Sequence, residues 1–77
     1  MARPVRKRIP PNRVKYYRMK LMLSRRELAN KAGISVEALC KIENRTTIPR
    51  LPTMRKILIA LGKDVSEAET VFPGYAE

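Results

Sequence analysis

From Asn12 onward apolar residues recur every three or four positions, the period of a helix with one buried face. Val14, Tyr17 and Leu21 trace the first face, with Tyr16 or Arg18 beside it, so the spacing predicts a helix that opens at Asn12 as N-cap and stops near Met22. Ser24 starts a second. Ser24-Arg25-Arg26-Glu27 has the spacing of a capping box, in which the hydroxyl accepts from the third amide and the glutamate reaches back to the first. Leu28, Ala29 and Ala32 form its inner side, and Gly33 stands where a left-handed turn would end it. Ser35 caps a third helix through about Asn44, here without the partner acid, since Ala38 occupies that place.

Residues 45–49 (Arg-Thr-Thr-Ile-Pro) read as a loop. Pro52 or Thr53 opens a fourth helix that carries Met54, Ile57, Leu58 and Leu61 at helical spacing, and Gly62 stops it. A short fifth helix fits residues 65–72, before Pro73-Gly74. No stretch alternates with a period of two, so the expected fold is all-α: a compact bundle of about five short helices. The predicted core is Val14, Tyr17, Leu21, Leu28, Ala32, Ile34, Leu39, Ile42, Leu51, Met54, Ile57, Leu58 and Leu61. Phe72 is expected to cap it, while Val71 and Tyr75 suit either capping or a dimer patch. A basic arm over residues 1–11, ended by Pro10-Pro11, would precede a domain over residues 12–72, and residues 73–77 would form a tail.

Charge adds a function class to this outline. Of the 77 residues, 17 are Lys or Arg and 7 are Asp or Glu, a net +10. Within residues 1–63 the balance is 17 basic against 3 acidic residues, or +14. Such a surface attracts a polyanion, and nucleic acid is the commonest one. No apolar run approaches the ~20 residues that span a bilayer, and the basic start has no apolar stretch behind it of the kind a secretory signal needs. One cysteine and no histidine leave no internal disulfide and no Cys/His zinc site, and remove the usual general base of neutral-pH catalysis. The reading is a cytoplasmic, soluble, non-enzymatic chain with no cofactor, no metal and no membrane partner.

The informative stretch runs from Leu23 to Asn44, LSRRELANKAGISVEALCKIEN. Two helices joined by a short turn containing glycine make a helix-turn-helix, held together here by Leu28, Ile34, Leu39 and Ile42. With the third helix set at about 100° per residue from Val36, Cys40, Asn44, Glu37 and Lys41 span one arc, and Leu39 and Ile42 lie on the far side. A polar or small arc of this kind is what reads base edges in the major groove. Val36 suits a thymine methyl, Lys41 the O6 and N7 of guanine, and Glu37 the N4 of cytosine or the orientation of Lys41; Cys40 lies on the same arc. An exposed Glu37–Lys41 ion pair and a merely space-filling Cys40 are the plainer readings. Ser35, Asn44, Arg45 and Arg50 are expected on the DNA backbone, and Arg3, Arg6, Lys7 and Arg8 form an arm for the minor groove or the backbone.

The sequence resembles the Cro/C1-type helix-turn-helix family, also called the xenobiotic-response-element family, of lambda-repressor-like fold. The resemblance rests on Arg18, Leu23-Ser24-x-x-Glu27-Leu28-Ala29, Ala32-Gly33-Ile34-Ser35, Ile42-Glu43-Asn44, Pro49 and Leu58-x-x-Leu61-Gly62, over residues 12–72. It implies a partly buried structural ion pair between Arg18 and Glu43. Arg25 stands where the family usually has a glutamine on a phosphate, which implies a DNA backbone contact that Arg25 makes with charge, and Arg45 where it often has a glycine that accepts positive φ.

Together these features predict a sequence-specific regulator of transcription that binds double-stranded DNA as a homodimer. Repression is favoured over activation, because Arg25-Arg26 stands where activating relatives carry acid. The alternative is an antitoxin-like or accessory module whose first partner is a protein, such as a toxin or a signalling protein, with DNA binding secondary. Nonspecific binding by charge alone is the third reading.

Overall fold

The computed structural model describes residues 9–75. Five α-helices follow one another: α1 (Val14–Lys20), α2 (Arg25–Ala32), α3 (Val36–Glu43), α4 (Leu51–Ala60) and α5 (Ala68–Val71), with a 3₁₀ turn over Val65–Glu67 leading into α5. Among the described residues there is no strand. None of the helices reaches 12 residues, a length at which isolated helices are still marginal, so tertiary packing must hold them. α2 packs against both α3 and α4, and α5 closes over α4. Between them lie Val14, Leu28, Ala29, Leu39, Ile42, Ile57, Leu58, Val71 and Phe72, all essentially without exposed surface.

Local chemistry explains the helix starts. Ser24 accepts from the amide of Glu27 and Glu27 accepts from that of Ser24, a complete capping box. Ser35 accepts from Ala38 alone. Helix α4 opens at Leu51, one residue ahead of the expected start, because Pro52 fits the first turn, where its missing N–H is no loss. At α1 the N-cap is Arg13, one residue later than the sequence suggested. Asn12 instead accepts from the amide of Val14 and donates through Nδ2 to the Ile42 carbonyl and the Tyr75 hydroxyl.

The ends of α1 to α4 share one device. The amide that follows a left-handed residue bonds back five residues: Leu23 to Arg18, Ile34 to Ala29, Thr46 to Lys41 and Lys63 to Leu58. This Schellman closure needs a left-handed residue in the turn. Gly33 (φ +74°) and Gly62 (φ +76°) supply it after α2 and α4, but Met22 (φ +56°) and Arg45 (φ +59°) do so after α1 and α3. In those two a Cβ crowds the backbone.

Several expected core positions differ. Leu21 is 49 % exposed, since α1 ends at Lys20 and the left-handed turn at Met22 sends Leu23 inward in its place. Leu51 is 66 % exposed because it occupies the first position of α4, at the rim. Tyr17 and Ile34 are half-buried against the core. Val71, Phe72 and Tyr75 are all buried in the chain's own core, so they are not available as a dimer patch. Tyr75 stacks edge-on against Phe72, and its hydroxyl donates to the Pro10 carbonyl.

Candidate nucleic-acid interface

The turn between α2 and α3 is short because its parts fit. Gly33 takes the left-handed conformation without a Cβ clash, Ile34 packs against the core, and Ser35 caps α3 at once. Leu39 and Ile42 anchor the inner side of α3. Its outer side presents Val36, Glu37, Lys41 and Asn44 to solvent, with Ala38 and Cys40 half-buried at the margins. Glu37 and Lys41 form no ion pair; among the described residues the paired charges are Arg18–Glu43, Arg25–Glu43 and Lys63–Glu67. The Lys41 ammonium and Glu37 carboxylate therefore keep their donors and acceptors for an external partner.

Behind this arc sits a charged knot. The Glu43 carboxylate has 1 % of its side chain exposed. Arg18 Nε donates to Oε2 at 2.8 Å and Nη2 to Oε1 at 3.2 Å, while Arg18 Nη1 donates to the Leu23 carbonyl at 2.9 Å. A single arginine thus ties α1, the turn after it and the end of α3. Arg25 Nε joins on the solvent side, 3.2 Å from Oε1, with 42 % of its side chain exposed. The hydrogen bond to Glu43 holds the Arg25 guanidinium still more firmly in its charged form. The family resemblance implied the Arg18–Glu43 pair; the third member was not legible, because Arg25 reads as an exposed first-turn residue.

Among the remaining expected contacts, Ser35 spends its acceptor on the cap of α3 and keeps a hydroxyl proton to donate. Asn44 is the C-cap of α3 and exposed. Arg45 follows in the left-handed conformation, also exposed. Arg50 is the N-cap residue of α4, and its side chain takes no part in capping. Arg3, Arg6, Lys7 and Arg8 lie outside the described residues. Two further residues brace α3: Asn12 holds the Ile42 carbonyl, and the Thr46 hydroxyl donates to the Lys41 carbonyl at 3.0 Å. Asn12 was legible only as a cap candidate, and a threonine in a loop carries no periodic signal that would have singled it out.

Among the described residues no group of Cys, Asp or Glu is placed to hold a metal ion. No described helix is long and apolar enough to cross a membrane.

Two short helices packed through a glycine turn, with the second helix bare on its outer side, define the class. The family described as helix-turn-helix matches over residues 14–67, and the chain belongs to it, in the Cro/C1-type, DNA-binding branch. Among solved structures the chain is similar to the N-terminal DNA binding domain of SinR from Bacillus subtilis, with 32 % identity and a TM-score of 0.66 over 73 % of this chain and 83 % of that one. No curated relative matches the chain.

Proposed function

We propose that the chain represses transcription by binding a specific duplex DNA site as a homodimer, with α3 in the major groove. The observation that carries this reading is the outer arc of α3, where Val36, Glu37, Lys41 and Asn44 are exposed, Glu37 and Lys41 outside any of the ion pairs, on a helix locked from behind by Leu39, Ile42 and Glu43. A groove-reading helix needs both halves of that arrangement: free edges and a rigid back. Lys41 donates to guanine, Val36 meets a thymine methyl, Glu37 accepts from cytosine or steers Lys41, and Cys40 borders the contact. Arg25, Ser35, Asn44, Arg45 and Arg50 hold phosphates and set the register, with Arg3, Arg6, Lys7 and Arg8 reaching the minor groove or the backbone.

A homodimer follows from need, since one module touches few base pairs and two-fold pairing doubles the site. Repression is favoured because the start of α2 is basic, Arg25-Arg26, where an activating contact would be acidic. The protein would act in the cytoplasm, on the chromosome.

Selection of bound sequences from random duplexes, followed by mobility-shift titration over salt, tests the reading. A specific regulator binds its selected site at least about 10³-fold better than random DNA. Lys41→Ala is expected to relax preference at one base pair by about 1–3 kcal/mol. Arg25→Ala should weaken all sequences alike and lower the salt slope by about one. If no sequence is enriched and affinity follows salt alone, charge is the whole of the binding and the reading fails.

A further inference from the structure

Away from α3, the outer face of α1 and the turn after it are unusual for a small basic domain. Lys15, Tyr16, Met19 and Lys20 are exposed along one side of the helix, and Leu21 and Met22 continue the surface through the turn. Tyr16 is 55 % exposed, Met19 59 % and Met22 89 %. Lys20 Nζ lies 5.4 Å from the centre of the Tyr16 ring, Tyr16 meets Tyr17 edge-on at 5.0 Å, and Lys63 Nζ lies 4.3 Å over Tyr17. This stack of lysine, two tyrosines and lysine joins α1 to the end of α4. Beside it Tyr17, Lys20, Leu21, Leu61, Gly62 and Lys63 line a groove of about 220 Å³.

Two features separate this face from an ordinary solvated one. Met22 holds a left-handed backbone that Gly33 and Gly62 hold without strain at the same place in other helix ends, yet its side chain is almost wholly in water. A flexible thioether kept at a strained, exposed position contributes nothing to the chain's own packing. The lysines are also poorly matched within the chain. Lys63 reaches Glu67 only at 3.9 Å, and among the described residues Lys15 and Lys20 have no carboxylate partner.

We propose that this face docks an acidic, amphipathic segment of a partner protein. An apolar side chain of the partner enters the groove between Leu21 and Leu61, others cover Met19 and Met22, and its carboxylates meet Lys15 and Lys20. Charge complementarity selects the acidic character, and the apolar surface selects protein over nucleic acid, since a phosphate backbone offers nothing to cover two methionines and a leucine. The face belongs to α1 and the end of α4 and shares no residue with the outer arc of α3, so its test is separate from that of the DNA reading.

Peptide-display selection on the full chain provides the probes, and amide NMR of the labelled chain maps the selected peptides. Enriched peptides should be acidic with interspersed Leu, Phe or Met, and should shift amides at residues 15–23 and 61–63 while leaving 36–44 unmoved. Met22→Gly is the decisive variant, because relief of strain should raise its melting temperature while peptide affinity falls about tenfold. Lys20→Glu should weaken the same peptides. Unchanged affinity in Met22→Gly, peptides without acidic excess, shifts centred on 36–44, or the same amides moving with duplex DNA or with protein concentration would each overturn the proposal. Loss of specific DNA binding in the mobility-shift experiment would sink the other reading and leave this one standing.

Discussion

Arg45 combines a strained backbone with an exposed side chain. Its φ of +59° closes α3, a conformation that costs an L-residue with a Cβ about 1–2 kcal/mol relative to the right-handed region. Its side chain is exposed beside the end of α3. Arg45→Gly is therefore expected to stabilise the fold by about 1 kcal/mol, a rise of about 4–8 °C in melting temperature for a domain of this size. If Arg45 holds a phosphate, the same variant binds every DNA sequence more weakly. A melting temperature that falls would show that the side chain supports the fold after all. Arg18 presents the opposite case, a side chain used wholly inside. Removing one member of a buried ion pair costs about 3–5 kcal/mol. Arg25 still touches Glu43 at 3.2 Å, so Arg18→Ala belongs at the lower end, about 3 kcal/mol. Equilibrium urea unfolding measures it, and an unchanged midpoint would mean that the pair is energetically idle.

Helices of seven to ten residues, as α1 to α4 are, depend on their ends. Loss of the α3 cap in Ser35→Ala should cost about 1 kcal/mol, and it acts directly beside the outer arc of α3. The cap of α2 has a pH signature. Hydrogen bonds from the backbone and the hydroxyl of Ser24 hold the Glu27 carboxyl below its ordinary value of 4.5. A carboxyl lowered on folding adds stability above its unfolded value, and that stability is lost as pH falls through the folded one. The chain should thus lose stability on acidification below pH 4.5, and Glu27→Gln, which keeps an acceptor for the Ser24 amide but does not titrate, should flatten that part of the profile. Thermal melts of both proteins between neutral pH and pH 3 settle the point; parallel curves would count against the box.

The molecule is closed by a few contacts between its ends and the end of α3. Asn12 bridges the Ile42 carbonyl and the Tyr75 hydroxyl, Tyr75 donates to Pro10, and Arg13 donates through its amide to Val71 and through Nη1 to Thr70. An intramolecular hydrogen bond contributes about 0.5–1.5 kcal/mol net. Asn12→Ala removes the bonds to the Tyr75 hydroxyl and to the Ile42 carbonyl, which still accepts from the Arg45 amide at 3.1 Å, and a loss of about 1 kcal/mol is expected in urea unfolding. Amide exchange should quicken at residues 42–46 before it does in α4. Equal quickening throughout would show only global destabilisation.

Much of this fold could be read along the chain because short-range rules govern it. The period of apolar residues located the helices, Ser24 and Ser35 marked two starts, and Gly33 and Gly62 two ends. The outer arc of α3 was also visible, since the positions of Leu39 and Ile42 fix which side faces away. What spacing lacked was any measure of distance between elements or of where a helix stops in three dimensions. Leu21 and Leu51 keep the apolar period but fall at helix ends, where packing no longer follows it. The sharing of Glu43 by Arg25 as well as Arg18, the bridge through Asn12 and the strained backbone of Met22 and Arg45 arise only once the helices are stacked. Periodicity is a local property set by backbone geometry, so the sequence by itself determined the elements and their inner faces; which polar groups meet, and which residues bear strain, depends on separations across the chain that only the tertiary structure decided.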